Sequence, residues 1–176
     1  MRASLFDEMT LQQNHFQLLG LPLVYFIDEG LLAENFRALQ RKFHPDRYAN
    51  ASPQEKRIAL QYATRINEAY QCLKSPLMRA EYLLELAGFM QRASMQPDPD
   101  FLMQQMEWRD QLGLSADKSR LQYLLEQTAV EYRSLQQQFA DAWADQNYSA
   151  ARHIVDKMHF VSKFEQEIKG RLTGLM

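Results

Sequence analysis

Apolar residues along this chain recur at intervals of three and four, which predicts helices, and no segment of useful length alternates with the period of a strand. The clearest helix lies between Asp28, a good N-terminal cap, and Pro45, which breaks helical geometry. Its predicted buried face consists of Leu32, Phe36, Leu39 and Phe43. The pattern therefore predicts an all-α protein.

Start and stop signals divide the chain into seven predicted helices. Ser52-Pro53 and Ser75-Pro76 are typical helix starts, and Ser115 is the predicted cap of the sixth helix. Gly88 and Gly113 are predicted to end the fourth and fifth helices. We predict four segments: a flexible leader over residues 1–13, a first helical domain over 14–88, a linker over 89–98 and a three-helix bundle over 99–176.

The three longest predicted helices each carry one apolar stripe. In the third helix the stripe is Ala59, Ala63, Ile66, Tyr70 and Leu73. In the sixth it is Leu121, Leu125, Thr128, Tyr132, Leu135 and Phe139. In the seventh it is Ile154, Met158, Val161, Ile168 and Leu172. The heptad-like spacing of the sixth stripe favours packing in an antiparallel bundle.

Composition narrows the possible functions. Apolar residues make up 46% of the 176 residues, which suffices for a buried core. Twenty basic and 22 acidic residues give a net charge of −2, which does not favour a binder of nucleic acid or membrane surfaces. Cys72 is the single cysteine, so an intrachain disulfide or multi-cysteine metal site is not expected. No apolar run approaches the roughly 20 residues that span a bilayer, and we expect a cytoplasmic protein.

The tripeptide His44-Pro45-Asp46 falls between two well-defined predicted helices and allows two interpretations. The plain interpretation is a helix-terminating turn with a solvated histidine. A catalytic role needs a nucleophile or metal partners, and His15, His153 and His159 show no ligand spacing with His44. We therefore expect no catalytic residue, no metal ligand and no cofactor.

The residues around this tripeptide carry four motifs in the order and spacing of a J-domain. Phe16-Gln17-Leu18-Leu19-Gly20 is similar to the first helix of that domain, and Phe36-Arg37-Ala38-Leu39 is similar to the second. Phe43-His44-Pro45-Asp46-Arg47 resembles its signature loop, and Ile66-Asn67-Glu68-Ala69-Tyr70 resembles its third helix. Arg47 stands where lysine is usual, which keeps the charge.

The resemblance implies that residues 14–88 form a J-domain, which docks on an ATP-driven, DnaK-like chaperone and promotes its ATP hydrolysis. The hydrolysis belongs to the partner, because this chain has no phosphate-binding loop motif. For the basic residues alone, a solvated helix face is the ordinary interpretation. The residues implied as chaperone-binding are Arg37, Arg41, Lys42, His44, Pro45, Asp46 and Arg47.

The rest of the chain departs from a general DnaJ and is similar to the HscB family, the J-proteins of iron–sulfur cluster assembly. The similarity includes residues 76–84, PLMRAEYLL, and the run Phe101-Leu102-Met103. It implies an L-shaped, all-α protein in which a J-domain, a helical hairpin with two short flanking helices, joins a C-terminal three-helix bundle. It also implies two partners, an HscA-like ATPase chaperone and an IscU-like scaffold protein that holds the cluster.

The fifth predicted helix has apolar residues on two faces. Trp108 and Leu112 belong to one stripe, while Met103 and Met106 lie on a different face. Because methionine often fills cores, the second face is either further core or an exposed partner site. In the HscB family this helix and the seventh hold the scaffold protein. The contacts implied for this chain are Leu102, Met103, Met106, Glu107, Asp110 and Phe160.

We therefore expect a monomeric adaptor that is not an enzyme and binds neither nucleic acid nor membrane. Two alternatives stay open. In the first, the chain is a J-domain co-chaperone for a different client, so that the site at residues 44–46 stands and the second-domain site fails. In the second, the tripeptide is accidental in an enzyme or metal-binding protein. Cys72 alone is a poor candidate for cluster binding, because clusters usually need several ligands.

Overall fold

The structure is a computed structural model of the chain and describes residues 12–89, 98–114 and 117–174. These residues form seven α-helices and one 3₁₀ turn, and no strand occurs among them. The helices are α1 (His15–Leu18), α2 (Glu29–Lys42), α3 (Pro53–Lys74), α4 (Pro76–Leu86), α5 (Pro99–Leu114), α6 (Lys118–Ala144) and α7 (Tyr148–Gly174), and the 3₁₀ turn is Pro45–Tyr48. The predicted all-α class is confirmed.

The helices group into two compact units, residues 1–83 and 84–176, and the division falls inside α4. The first unit contains α1, α2, α3 and most of α4, and the second contains the end of α4 with α5, α6 and α7. Most of the predicted leader over 1–13 and of the predicted linker over 89–98 lies outside the described residues. These segment boundaries therefore stay predictions.

In the first unit, α2 and α3 form an antiparallel hairpin that two aromatic pairs hold in register. The rings of Phe43 and Tyr62 stack with centroids 5.0 Å apart, and those of Phe36 and Tyr70 stack at 3.9 Å. Such pairs contribute about 0.5–1.5 kcal/mol beyond the burial of their surface. Since each pair takes one ring from each helix, the two pairs together prevent one helix from sliding along the other.

Capping residues determine where the hairpin helices begin. The Asp28 carboxylate accepts a hydrogen bond from the Leu31 amide at 2.9 Å, so α2 begins as predicted. At the start of α3, Ser52 and Glu55 form a reciprocal capping box. The hydrogen bond from the Ser52 hydroxyl, followed by the one from its backbone amide, lowers the pKa of the Glu55 carboxyl. Local sequence signals thus account for both helix starts.

α4 holds the N-terminal segment through residues of its PLMRAEYLL motif. The buried Arg79 guanidinium donates hydrogen bonds to the backbone carbonyls of Leu73, at 2.7 Å, and Tyr25, at 2.9 Å. The Tyr82 hydroxyl accepts a hydrogen bond from the His15 amide at 3.0 Å, and the two side-chain rings stack at 4.2 Å. The motif that distinguishes this chain from a general J-domain therefore anchors α1 and the α1–α2 loop.

In the second unit, α6 and α7 are antiparallel helices of 27 residues each, joined by a turn at residues 145–147. α5 is attached at its N-terminus by Asp98. The carboxylate of Asp98 accepts hydrogen bonds from the backbone amides of Asp100 and Phe101 and forms an ion pair with Lys157 of α7. The hydrogen bond from Lys157, and then the one from the Phe101 amide, lower the pKa of Asp98.

Most residues of the predicted stripes of α3, α6 and α7 are buried, among them Ile66, Leu135 and Val161, but each buried face is wider than its stripe and includes at least one position that was not predicted. The buried position is Tyr62 rather than Ala63 in α3, Leu124 rather than Leu125 in α6, and Val155 rather than Ile154 in α7. The aromatic residues Phe36, Tyr70 and Tyr132 are half-buried. Each of these helices packs against neighbours on more than one side, so its buried arc is wider than a single heptad stripe.

The connection between α5 and α6 also differs from the prediction. α5 continues past Gly113 to Leu114, because Gly113 lacks the left-handed backbone that makes Gly88, with a φ of +78°, a terminator. The cap of α6 is Asp117, whose carboxylate accepts a hydrogen bond from the Arg120 backbone amide at 2.8 Å. Ser115, the predicted cap, lies outside the described residues.

Candidate functional site

The tripeptide at residues 44–46 forms an exposed corner at the end of α2. His44 is the N-cap of the 3₁₀ turn, and its Nδ1 accepts a hydrogen bond from the Asp46 amide at 3.3 Å. The Asp46 carboxylate lies 3.5 Å from the same nitrogen, and the two side chains are 57% and 89% exposed. Pro45 fixes the backbone between them. The corner is thus a preset local structure that an approaching protein can reach.

This corner lies at a groove of ≈ 740 Å³ between α2 and α3, which we call the α2–α3 groove. Buried Phe43 and Ile66 border it from below, and the Gln40 amide donates a hydrogen bond across it to the Asn67 side chain at 3.3 Å. Its lining consists of Arg37, Gln40, Arg41, Phe43, His44, Pro45, Arg47, Leu60, Ala63, Thr64, Ile66 and Asn67. The groove therefore has one wall from each helix and the corner at its end.

The groove brings together most of the residues predicted to bind a chaperone. Arg37, Arg41 and Arg47 all line it, and Arg47 donates a hydrogen bond to the Arg41 carbonyl at 3.3 Å. Lys42 is half-buried and does not line the groove. Its ammonium lies 5.7 Å from the centre of the Phe43 ring. The Asp46 side chain is exposed just outside the lining.

Sequence reasoning missed the wall that α3 contributes to this groove. Leu60, Thr64 and Asn67 line the groove, although none of them belongs to the predicted buried stripe of α3. Leu60 is 59% exposed. The sequence does show that Leu60 is an apolar residue beside the buried stripe of α3. Its position in the groove, however, depends on the register in which α2 packs on α3.

In the second unit, one face of α5 is apolar and open to solvent. Leu102, Met103 and Met106 are 41%, 59% and 65% exposed, whereas Trp108 and Leu112 are buried. The charged neighbours Glu107 and Asp110 are exposed as well. The structure therefore places the second apolar face of α5 at the surface rather than in the core, and we call Leu102, Met103 and Met106 the apolar face.

Phe160 occupies a different position from the other five predicted scaffold contacts. It is half-buried in an aromatic cluster between α5 and α7, with ring centroids 5.7 Å from Phe101, 6.4 Å from Trp108 and 5.8 Å from Phe164. The Arg109 guanidinium lies 5.8 Å from the Phe160 ring centre. Phe160 therefore helps to hold α5 on α7, whatever else it contacts.

The described residues offer no obvious chemical centre. No three His, Cys, Asp or Glu side chains among them are grouped as metal ligands. Cys72 is buried, and its thiol donates to the Met78 carbonyl at 3.7 Å. None of the helices in the described ranges is long and apolar enough to cross a membrane. What the structure presents is a groove and an apolar face, both suited to binding proteins.

The geometry of the first unit defines its class. An antiparallel helical hairpin, two short flanking helices and an exposed His-Pro-Asp corner beside a basic helix are the features of a J-domain. The class is therefore that of J-domain proteins, in which this domain is joined to a further helical unit.

Comparison with known proteins specifies the family. Residues 97–169 match the family described as HSCB C-terminal oligomerisation domain. A Vibrio atlanticus protein named Co-chaperone protein HscB homolog is 41% identical over 175 residues, which cover 92% of this chain and 99% of that protein. The structure of chaperone HscB from Vibrio cholerae has a TM-score of 0.82 at 39% identity, covering 93% of this chain and 100% of the other. Human co-chaperone protein HscB has a TM-score of 0.87 at 25% identity, with coverages of 93% and 84%.

The chain belongs to the HscB family of co-chaperones. The resemblance read from the sequence motifs is confirmed, because these relatives cover nearly the whole chain. The Vibrio atlanticus and human relatives are named as co-chaperones, which confirms the prediction that the protein is not an enzyme.

Proposed function

We propose that this protein is an adaptor that links an HscA-like ATPase chaperone to an IscU-like iron–sulfur scaffold protein and stimulates the chaperone's ATP hydrolysis. It thereby assists the maturation of iron–sulfur proteins in the cytoplasm. The single observation that carries the proposal is the exposed His44-Pro45-Asp46 corner at the end of a basic groove, in a chain of the HscB family. The apolar face on the second unit supports the client half of the proposal.

The chaperone docks on the α2–α3 groove and the corner. Three exposed guanidiniums, from Arg37, Arg41 and Arg47, favour an acidic partner surface and accelerate its approach. The corner itself is set by Pro45 and by the hydrogen bond from the Asp46 amide to His44, so it is presented without further ordering. The ATPase chemistry is the partner's, and this chain acts by favouring one of the partner's conformations.

The scaffold protein docks on the apolar face of α5. Leu102, Met103 and Met106 supply apolar area at the centre, and methionine adapts its shape to a partner surface. Glu107 and Asp110 supply a charged rim, which gives specificity more than affinity. Such an apolar centre with a polar rim is the usual arrangement of a protein interface.

Replacing His44 tests the chaperone half. We expect His44→Gln to abolish stimulation of a purified HscA-like chaperone in a steady-state ATPase assay, with an unchanged helical circular dichroism spectrum. His153→Gln on α7 is the matched control, because it makes the same change outside the groove. Full stimulation by the His44 variant would remove the basis of the assignment.

Replacing the apolar face tests the client half. We expect the double variant Met103→Ser, Met106→Ser to weaken binding of an IscU-like scaffold in isothermal titration calorimetry, with little change in melting temperature. Val130→Ser is the control, since Val130 is 55% exposed on α6. A large fall in melting temperature would show that the methionines are core residues. If the wild-type chain stimulates the chaperone but does not bind the scaffold, it is a J-domain co-chaperone for a different client.

We also propose that the protein acts as a monomer. The description of the matching family refers to oligomerisation, so a second copy of the chain is the competing occupant of the apolar face. Sedimentation equilibrium of the purified chain should give a single monomeric species at micromolar concentration. A dimer that Met106→Ser dissociates would assign the apolar face to self-association instead.

A further inference from the structure

We infer that Leu60 on α3 is an apolar anchor of the chaperone-docking site, and that it receives an apolar side chain flanked by carboxylates on the chaperone. The inference rests on the proposed function, because it concerns the partner of the same groove. It adds a second wall and a partner chemistry to a site that the sequence motifs place on α2 and the corner alone.

The hairpin register places Leu60 beside the corner. Phe36 stacks on Tyr70 and Phe43 stacks on Tyr62, so moving toward the C-terminus of α2 means moving toward the N-terminus of α3. Leu60 precedes Tyr62 by two residues and therefore lies level with the corner that follows Phe43. Its presence in the same groove lining as His44 and Pro45 agrees with this register.

Leu60 differs from the other apolar residues of the two helical walls because it is open to solvent. The other apolar members from the hairpin, Phe43 and Ile66, are buried, and Ala63 is small and half-buried. Leu60 also borders a second hollow, of ≈ 400 Å³, together with His15, Gln61, Thr64, Arg65 and Glu68. A side chain with a hollow on each side stands out as a ridge, so a partner can surround it.

The charges around Leu60 indicate what flanks the partner's apolar side chain. Three arginines and His44 line the groove, and no carboxylate does. Within the described ranges, Arg37, Arg41 and Arg47 form no ion pair with an acid of this chain. Guanidiniums without an ion-pair partner, lying in the groove that Leu60 borders, complement a segment that carries carboxylates next to an apolar residue.

The groove is rigid enough to act as a preformed site. The two aromatic pairs hold α2 on α3, and the hydrogen bond between Gln40 and Asn67 spans the groove. Binding of a partner therefore does not spend free energy on ordering the groove walls. The contact with Leu60 can then contribute in full to affinity. Because Leu60 belongs to α3 and not to the corner itself, its loss should weaken docking without removing the stimulating contact.

The test is a titration of a purified HscA-like chaperone with the full chain and its variants, measured as steady-state ATP hydrolysis. We expect Leu60→Ser to raise the half-maximal concentration by about tenfold, as for loss of an apolar anchor, with the same maximal stimulation. Leu60→Met, which keeps an apolar side chain, should restore most of the affinity. Leu31→Ser is the matched control, since Leu31 is an exposed leucine of α2 outside the groove.

The outcomes separate this inference from the proposed function. If the wild-type chain does not stimulate the chaperone at all, the proposed function fails and the inference fails with it. If the wild type stimulates and Leu60→Ser matches it, only the inference is overturned. An equal loss in the Leu31 and Leu60 variants would also overturn it, because the effect would then be general. A fall in the melting temperature of Leu60→Ser larger than that of Leu31→Ser would show that Leu60 acts in the fold instead.

Discussion

Arg79 offers the sharpest test of how the family motif holds the first unit together. Its guanidinium is 3% exposed and donates to the carbonyls of Leu73 and Tyr25, which belong to α3 and the α1–α2 loop. It also lies over the Tyr25 ring, 5.6 Å from the ring centre. The change Arg79→Met keeps most of the apolar stem and removes both hydrogen bonds, so two carbonyls lose their charged donor.

The cost follows from these contacts. Hydrogen bonds to charged groups contribute about 1.5–3 kcal/mol each, so losing two costs about 3–6 kcal/mol. The ion pair with Glu29, at 4.0 Å, adds little because the Glu29 side chain is 74% exposed. With a urea dependence typical of small domains, the loss corresponds to a midpoint shift of about 2 M. This is a large fraction of the ordinary stability of a domain.

Urea unfolding followed by far-ultraviolet circular dichroism measures this free energy, and hydrogen exchange localises it. We expect faster exchange at residues 15–26, because the guanidinium fixes the loop they form. Arg79→Lys is the matched control: it keeps the charge, but an ammonium lacks the planar fork and should recover less than half of the loss. A loss below about 1 kcal/mol for Arg79→Met, or full stability for Arg79→Lys, would refute the reasoning.

Three further predictions follow from the cap at Asp98, from the backbone geometry of two glycines and from the aromatic cluster. Asp98 has a lowered pKa, so its carboxylate stabilises the fold above the ordinary carboxyl pKa of about 4, and this stabilisation is lost as pH falls through the lowered value. The melting temperature of Asp98→Asn should therefore lie below that of the wild type at pH 7 and approach it under acid, and an equal difference at both pH values would contradict the pairing with Lys157. Gly88→Ala should cost about 1 kcal/mol in urea unfolding because of its positive φ, although nothing lies within 4 Å of the added carbon. Gly113→Ala should instead stabilise by about 0.5–1 kcal/mol, since this glycine is helical and equally unobstructed. If both substitutions changed the free energy of unfolding in the same direction, this reasoning would be contradicted. Phe160→Leu should lower the melting temperature more than Met106→Ser does, because only Phe160 packs in the aromatic cluster; the opposite order would exclude that role.

The features predictable from sequence are those that depend on neighbouring residues. The cap at Asp28, the break at Pro45 and the capping box at Ser52 and Glu55 each involve residues within a few positions, so the limits of α2 and the start of α3 follow directly. The corner is local in the same sense, because one hydrogen bond between residues two positions apart shapes it.

Features that depend on packing between helices were not predictable. Leu60 and Asn67 line the groove only because α2 lies on α3 in one register, which the aromatic pairs decide. Burial of Tyr62 rather than Ala63 has the same origin. For α5, periodicity could not separate a wide core arc from an exposed face, and the contacts of Trp108 with α7 were needed to distinguish them.

The central claim is that one chain couples a scaffold protein to a chaperone's ATP hydrolysis. The most direct measurement is the steady-state ATPase rate of a purified HscA-like chaperone, alone, with this protein, with an IscU-like scaffold, and with both. The account predicts that the two together stimulate more than the sum of their separate effects, because both favour the same state of the chaperone. A rate with both that equals that sum would contradict it.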